Sequence, residues 1–337
     1  MHYLITGHTG FKGAWLTLML STMGHKVSGI SLDPEPGSLF ERAGITKFVE
    51  HDIRVDIRNG EALESAMVAI NPDVVVHMAA QPLVRRSYLD PRETYETNVN
   101  GTLNVLAALE KLPKLRASLI ITTDKVYRNV DQAEGYVESD PLGGYDPYSS
   151  SKAMADLLTQ SWAKSFPGAP LAIARAGNVI GGGDVCKDRL VPDIVRAFSG
   201  GETLHIRYPQ AVRPWQHVLD CLNGYLAIID GLLNGHAQGE WNIGPGRESF
   251  ISVGDLVKAS QAYWGGETNA ALDQESNFHE ANLLALDASK AQDLLGWKNK
   301  LIYPQSLEWA IEWEKHVLEG SDALEVTLGQ INSFRTT

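Results

Sequence analysis

Residues 3–13 read Tyr3-Leu4-Ile5-Thr6-Gly7-His8-Thr9-Gly10-Phe11-Lys12-Gly13, and the apolar run Ala14-Trp15-Leu16-Thr17-Leu18-Met19-Leu20 follows directly. A short apolar strand, a glycine-rich turn and a helix-forming stretch stand in that order. Glycines at such a turn let the backbone bend tightly and approach a pyrophosphate, which would rest on the first amides of the helix. The spacing is G-x-x-G-x-x-G rather than G-x-G-x-x-G. Taken alone it also fits a structural turn. Its place between strand and helix favours a dinucleotide site built from Gly7, Thr9, Gly10, Phe11, Lys12 and Gly13.

Outward from this loop, KVSGIS (26–31), DVVVHM (73–78), SLIITT (118–123) and LAIARA (171–176) are short runs apolar on both faces, and a further strand precedes Asp56-Ile57. Helix-length segments separate them, at 11–23, 60–70, 90–111 and 147–166. This alternation predicts an α/β fold with a doubly wound, Rossmann-type parallel sheet. After about residue 180 the texture changes to Gly, Pro and Trp clusters such as GGGD, RPWQH and WNIGPG, which predicts a smaller, loop-rich C-terminal substrate lobe. The expected division is 1–178 for the dinucleotide domain with its catalytic residues and 179–330, mainly, for the lobe. The chain is expected to cross between them.

The chain has 337 residues, 44% of them hydrophobic and 21% charged, enough for one large core with an appended lobe and unlike a disordered protein. Its start lacks a basic stretch ahead of an apolar core, and no apolar run reaches the roughly 18 residues of a membrane span, so an unexported, cytoplasmic protein is expected. Cys186 and Cys221 lack Cys-x-x-Cys spacing and read as packed thiols in a reducing compartment. A net charge of −12 argues against nucleic-acid or membrane-surface partners. An anionic ligand would need local arginines. His8, His77 and His217 lack metal-ligand spacing and read as packing or hydrogen-bonding groups, so no metal is expected. Trp241, Trp264, Trp297, Trp309 and Trp313 fall in or near apolar stretches and read as core or interface.

Cofactor choice is made near the end of the second strand, where an acid would bond a ribose hydroxyl and an arginine would accept a phosphate. The chain there is Ser31-Leu32-Asp33. Asp33 favours NAD, although it comes about two residues later than the commonest position for that acid. Ser31 tolerates NAD or NADP; NAD is the expected cofactor. Asp56-Ile57 are candidates for the adenine, and Ala79-Ala80-Gln81 for the channel towards the nicotinamide. Each also reads as an ordinary strand-to-helix turn.

Pro147-Tyr148-Ser149-Ser150-Ser151-Lys152 opens a predicted helix and places Tyr148 and Lys152 one turn apart on one face. An ammonium there would depress the phenol pKa, so that tyrosinate takes a hydroxyl proton while hydride leaves the same carbon. A lone Tyr-x-x-x-Lys is more often a solvated pair, but this one follows the fifth strand, where a nicotinamide would require it. That strand ends in Thr122-Thr123-Asp124-Lys125, at the sheet edge where such folds keep their ligands. Thr123 can bond the oxygen being oxidised. Asp124 and Lys125 add an acid and a base candidate, against the competing reading of a capped turn and a solvated lysine.

Together TGHTGFKGAWL, HMAAQPLVRRSY, TNVNGT, TTDKVYRN, GGYDPYSSSK, RAGNVIGGGD, KDRLVPDI, RPWQHV, WNIGP and HEANLLALDASKAQDLLGW resemble the extended short-chain dehydrogenase/reductase family acting on nucleotide sugars, and within it the CDP-glucose 4,6-dehydratase branch. The resemblance implies that Tyr148, assisted by Lys152 and Thr123, deprotonates the C4 hydroxyl as hydride passes from C4 to NAD. The ketone acidifies C5, the C6 hydroxyl leaves as water, and hydride returns to C6. It further implies that Asp124 protonates the leaving oxygen and that Lys125 acts as base at C5 or stabilises the enolate, where dTDP-glucose and GDP-mannose dehydratases carry Asp-Glu. A base role requires a neutral Lys125.

By the same resemblance Asn98 joins the cofactor site, and Asn178, Arg189 and Arg213 are similar to sugar and diphosphate contacts, a task that suits guanidinium. Arg207 and Tyr208 would border the nucleotide base, with His279 and Glu280 as late contacts to sugar or phosphate. Relatives pair two helices per subunit in a four-helix bundle, so 90–111 and 147–166 imply a homodimer that takes a CDP-sugar substrate. Two other readings stay open. One is an epimerase or redox enzyme with the same Tyr-Lys-NAD machinery, against which Asp124-Lys125 favours elimination. The other is a non-catalytic dinucleotide sensor, which would need no set such as Thr123, Tyr148 and Lys152.

Overall fold

Strands that are apolar on both faces are satisfied only in a sheet covered twice. The computed structural model, which describes residues 1–132, 134–206, 208–265, 268–272 and 284–337, contains such a sheet. Its seven strands are β1 (His2–Thr6), β2 (Lys26–Ser31), β3 (Asp52–Arg54), β4 (Val74–His77), β5 (Ala117–Ile121), β6 (Leu171–Ala176) and β7 (Gly239–Ile243). All pair in parallel, in the order β7-β6-β5-β4-β1-β2-β3. The strand order reverses between β1 and β4, which opens a crevice at the carboxyl edge.

The principal helices are α1 (Phe11–Thr22), α2 (Gly60–Ile70), α3 (Gly101–Leu109), α4 (Pro147–Ser165), α5 (Leu190–Gly200), α6 (Val218–Leu233) and α7 (Gln305–Leu318). Alternate strand residues supply the two covers, as the two-residue repeat of a strand demands. Tyr3, Ile5, Val74, Val76 and Leu119 pack on one face with Trp15 of α1 and Leu222 of α6. Leu4, Val75 and Ile120 pack on the other with Leu63 and Met67 of α2 and Val105 and Leu106 of α3. Helix α1 is buried continuously from Gly13 to Leu20, which explains why its sequence is apolar all round. A separate core of Ile194, Phe198, Leu204, Trp215, Leu256 and Leu307 organises the smaller lobe.

Two elements differ from the sequence expectation. The WNIGPG stretch, counted with the lobe by its texture, supplies β7, which pairs with β6 and sets Trp241 beside Ala174. Half-buried residues at the start of this edge strand hid its sheet character. The helix expected over 90–111 is divided into Pro91–Tyr95, a π-turn at Glu96–Asn100 and α3. The wider turn carries Asn98, whose buried amide accepts from the Gln81 N–H at 2.8 Å and donates to the Gln81 carbonyl and Ser151 Oγ.

A wholly buried ion pair holds α4 to the sheet. Arg175 of β6 donates from Nε and Nη2 to the two oxygens of Asp156 at 2.9 and 2.8 Å, and both side chains are 0% exposed. Thr122 Oγ1, just beyond β5, donates to Asp156 Oδ2 at 3.0 Å. Arg175 Nη1 donates to the Tyr127 hydroxyl, which donates in turn to Asn242 of β7. Four strands and loops thus meet one carboxylate–guanidinium pair. Removing one partner strands a buried charge, whereas replacing both does not. Arg175→Met should therefore lower the unfolding free energy by about 3–5 kcal/mol in urea denaturation, and Arg175→Met with Asp156→Leu by clearly less. Equal losses would contradict this account.

Candidate functional site

The glycine loop is constrained by its own backbone. Gly7 has φ +78, and a Cβ there would stand 2.8 Å from the Ala79 nitrogen; a Cβ on Gly13 would stand 2.2 Å from the Gly7 carbonyl oxygen. The loop therefore tolerates only hydrogen at both positions, and Gly10 accepts the first helical bond from the Ala14 N–H. The amides that follow begin α1 at the mouth of a cleft of about 750 Å³. A cradle of bare glycines at a helix start, opening on a cleft of that size, fits a dinucleotide diphosphate.

At the adenosine end, Thr9 Oγ1 and Ser31 Oγ share a hydrogen bond of 2.7 Å, and Asp33 projects outward, 90% exposed, with Arg54 Nε at 3.2 Å. Asp56 accepts from the Arg58 N–H and guanidinium, which hold its carboxyl below the usual range. Ile57, Ala79, Ala80 and Gln81 continue the lining. Lys12 also lines the cleft, but its ammonium turns to the Tyr225 hydroxyl of α6 at 3.0 Å, and burial holds it below its ordinary pKa. Asn98 stands apart. Its amide is committed to Gln81 and Ser151, outside the lining, so it supports the site from behind.

The catalytic candidates meet at the carboxyl edge. Asp146 caps α4 by accepting from the Ser149 N–H, and Pro147 occupies the first turn, so Tyr148 and Lys152 follow at a fixed phase. The expected depression of the Tyr148 phenol is not found in the protein alone. Burial pushes it up to about 12, and Thr123 opposes that rise only in part. Lys152 donates instead to the Ile121 carbonyl at 2.8 Å, and burial together with the charge of Lys12 brings its ammonium down to about 8. Thr123 Oγ1 donates to Asp124 Oδ1 at 2.8 Å. Asp124 is 2% exposed, and burial raises its carboxyl against the opposing influence of Lys125, Thr123 and Arg213. A carboxyl whose burial favours the protonated form, beside a buried phenol, is suited to donate a proton. Lys125 lines the cleft next to it.

From the smaller lobe, Asn178, Arg189, Tyr208 and Arg213 line the facing wall. Arg189 pairs with Asp184 at 2.8 Å, and Arg213 donates to the Val212 carbonyl. Arg207, His279 and Glu280 lie outside the described residues. Sequence reasoning missed Arg85, which crosses the cleft mouth to Asp188 at 2.8 Å, although its RRSY motif had been singled out. Gly177, within the quoted RAGNVIGGGD stretch but not singled out, also lines the cleft. Each of the three singled-out histidines has a local role: His8 meets Asp52 at 2.7 Å, His77 lies between Thr6 and Thr102, and His217 caps α6. Both cysteines are free thiols. Among the described residues no group of three metal-ligating side chains gathers, and no helix is long and apolar enough to cross a membrane.

Residues 3–244 match the model of the NAD dependent epimerase/dehydratase family. The chain is 42% identical over 341 residues to the CDP-glucose 4,6-dehydratase of Salmonella typhimurium strain LT2, covering 98% of this chain and 95% of that one. It is 27% identical to a dTDP-glucose 4,6-dehydratase of Xanthomonas campestris pv. campestris, with 96% and 97% covered. Among solved structures, the dTDP-glucose 4,6-dehydratase of Bacillus anthracis str. Ames in complex with NAD aligns with a TM-score of 0.78 at 25% identity, covering 96% of this chain and 99% of that one. By fold, by the glycine cradle and by sequence along its length, this chain belongs to the NAD-dependent epimerase/dehydratase family.

Proposed function

We propose that the chain is a CDP-glucose 4,6-dehydratase that converts CDP-glucose to CDP-4-keto-6-deoxyglucose. The observation that carries this reading is Asp124, a buried carboxyl of raised pKa joined to Thr123 in the same cleft as Tyr148 and Lys152. An epimerase needs no such acid; loss of a C6 hydroxyl does. The glycine loop, Ser31, Asp33, Asp56, Ile57 and Ala79 to Gln81 would hold NAD, which would supply a reversible hydride acceptor for the sugar. Tyr148 removes the C4 hydroxyl proton, with Thr123 as hydrogen-bond partner and Lys152 as the nearby cation. Asp124 gives a proton to the C6 oxygen as it leaves, and Lys125 takes the C5 proton or steadies the charge that develops there. The C6 oxygen leaves as water with the proton from Asp124, and C5 takes a proton back as hydrogen returns to C6, so that the net change is loss of one water.

Arg189, Arg213, Asn178 and Tyr208 would hold the sugar and diphosphate, which reconciles an anionic ligand with a protein of net charge −12. In this reading residues 1–178 carry cofactor and chemistry and 179–330 mainly the substrate lobe, with α6 and β7 returning to the sheet. We assign the protein to the cytoplasm as a homodimer. Leu103 on α3 and Met154 and Leu157 on α4 are 39%, 46% and 52% exposed, apolar surface on the two helices expected to form a four-helix bundle.

Incubated with CDP-glucose and NAD in deuterated water, the protein should yield the 4-keto-6-deoxy sugar with deuterium at C5 by NMR and mass spectrometry. A sugar that keeps its C6 hydroxyl would overturn the reading, and parallel runs with dTDP- and GDP-glucose test the nucleotide base. Tyr148→Phe should reduce turnover by about 10³-fold or more with no NADH absorbance, whereas Asp124→Asn should permit NADH formation and slow elimination by about 10²-fold. Wild-type turnover in Asp124→Asn would remove its role. Met154→Glu with Leu157→Glu should halve the mass found by light scattering; a monomeric wild type would overturn the dimer.

A further inference from the structure

Between β6 and the lobe the chain passes through Gly177, which lines the cleft. Its φ lies outside the left-handed region, so a larger residue would meet no backbone strain there. A glycine without a conformational need gives up unfolded-state order and calls for another explanation. Space supplies it: a Cβ on Gly177 would stand 2.8 Å from Asp124 Oδ2 and 3.4 Å from Asp124 Cγ.

The oxygen facing that gap is itself unusual. Asp124 Oδ1 accepts from Thr123, but Oδ2 is buried without a hydrogen-bond partner among the described residues. Buried polar atoms are rarely left unpaired unless a ligand completes them. Thr123 and Lys125 face the carboxyl from its own turn, Tyr148 from α4, Lys12 from the glycine loop and Arg213 from the lobe.

We propose that Gly177 is a positioning residue for elimination, its missing side chain leaving Asp124 Oδ2 undisplaced and open to the C6 oxygen of a nucleotide-activated hexose. This rests on the reading of Asp124 as the acid. In the step concerned, the proton on Asp124 moves to the C6 oxygen as the C6–O bond breaks and its electron pair leaves with the water. The electrons of the C5–H bond become the C5–C6 double bond, and the C5 proton goes to the base. A methyl group at position 177 pushes the carboxyl aside. A serine hydroxyl there donates to Oδ2, which favours the carboxylate and removes the acid.

The test uses Gly177→Ala and Gly177→Ser beside Asp124→Asn. With CDP-glucose and NAD, single-turnover NADH formation should stay within about threefold of wild type in both glycine variants while elimination falls at least about tenfold, the scale of a displaced catalytic group. On the protein alone, the infrared carbonyl band that Asp124→Asn deletes should vanish about one pH unit lower in Gly177→Ser, because the new donor stabilises the charged form. Melting temperatures close to wild type establish that the variants fold, and Gly177→Ala carries the test if the serine does not. Elimination at wild-type rate in the glycine variants, or equal loss of both steps, overturns the role of Gly177. Unchanged elimination in Asp124→Asn overturns the acid assignment itself, so the two failures are distinguishable.

Discussion

The ion pair of Asp156 and Arg175 is the constraint on which the catalytic geometry depends. Asp156 lies one turn beyond Lys152 on α4, and Thr122, which it holds, precedes Thr123 and Asp124. The helix that carries the phenol and the strand end that carries the acid are therefore fixed to the same carboxylate. The guanidinium extends the link through Tyr127 to β7, the strand reached by the chain's return from the lobe. An apolar pair of similar volume would leave no buried charge unpaired, but it could not orient four separate segments through directed bonds.

Burial sets the protonation states in the cleft. It raises the Tyr148 phenol to about 12, raises the Asp124 carboxyl above its usual range and brings the Lys152 ammonium down to about 8. Burial thus favours the neutral forms of phenol and carboxyl in the protein alone, and a cation bound in the cleft would favour tyrosinate. The acidic surface and the arginines of the lobe divide the electrostatic work. Like charge discourages polyanions at a distance, while Arg189 and Arg213 line the cleft and would offer donors to a small diphosphate.

Much of this was legible in the sequence, for identifiable reasons. Strands β1, β2, β4, β5 and β6 are apolar on both faces and announce themselves, and β3 is found where a strand was expected ahead of Asp56-Ile57; β7, half-buried at its start, does not announce itself. The glycine loop and the Tyr148–Lys152 spacing are local patterns that survive folding unchanged. What escaped depends on contacts distant in the chain. The π-turn carries Asn98 to Gln81 and Ser151, and the phenol sits high because burial outweighs the hydrogen bond from Thr123. Gly177 has an ordinary backbone, so only the position of Asp124, 53 residues earlier, reveals why a glycine stands there.

The central claim is that one cleft oxidises C4, expels the C6 hydroxyl and reduces C6 without net use of cofactor. Turnover of CDP-glucose carrying deuterium at C4, with NAD present in less than stoichiometric amount, tests it most directly. The account predicts a 4-keto-6-deoxy product with the deuterium on C6 and no accumulation of reduced cofactor. Deuterium retained at C4, or recovered in NADH with the C6 hydroxyl intact, would contradict it.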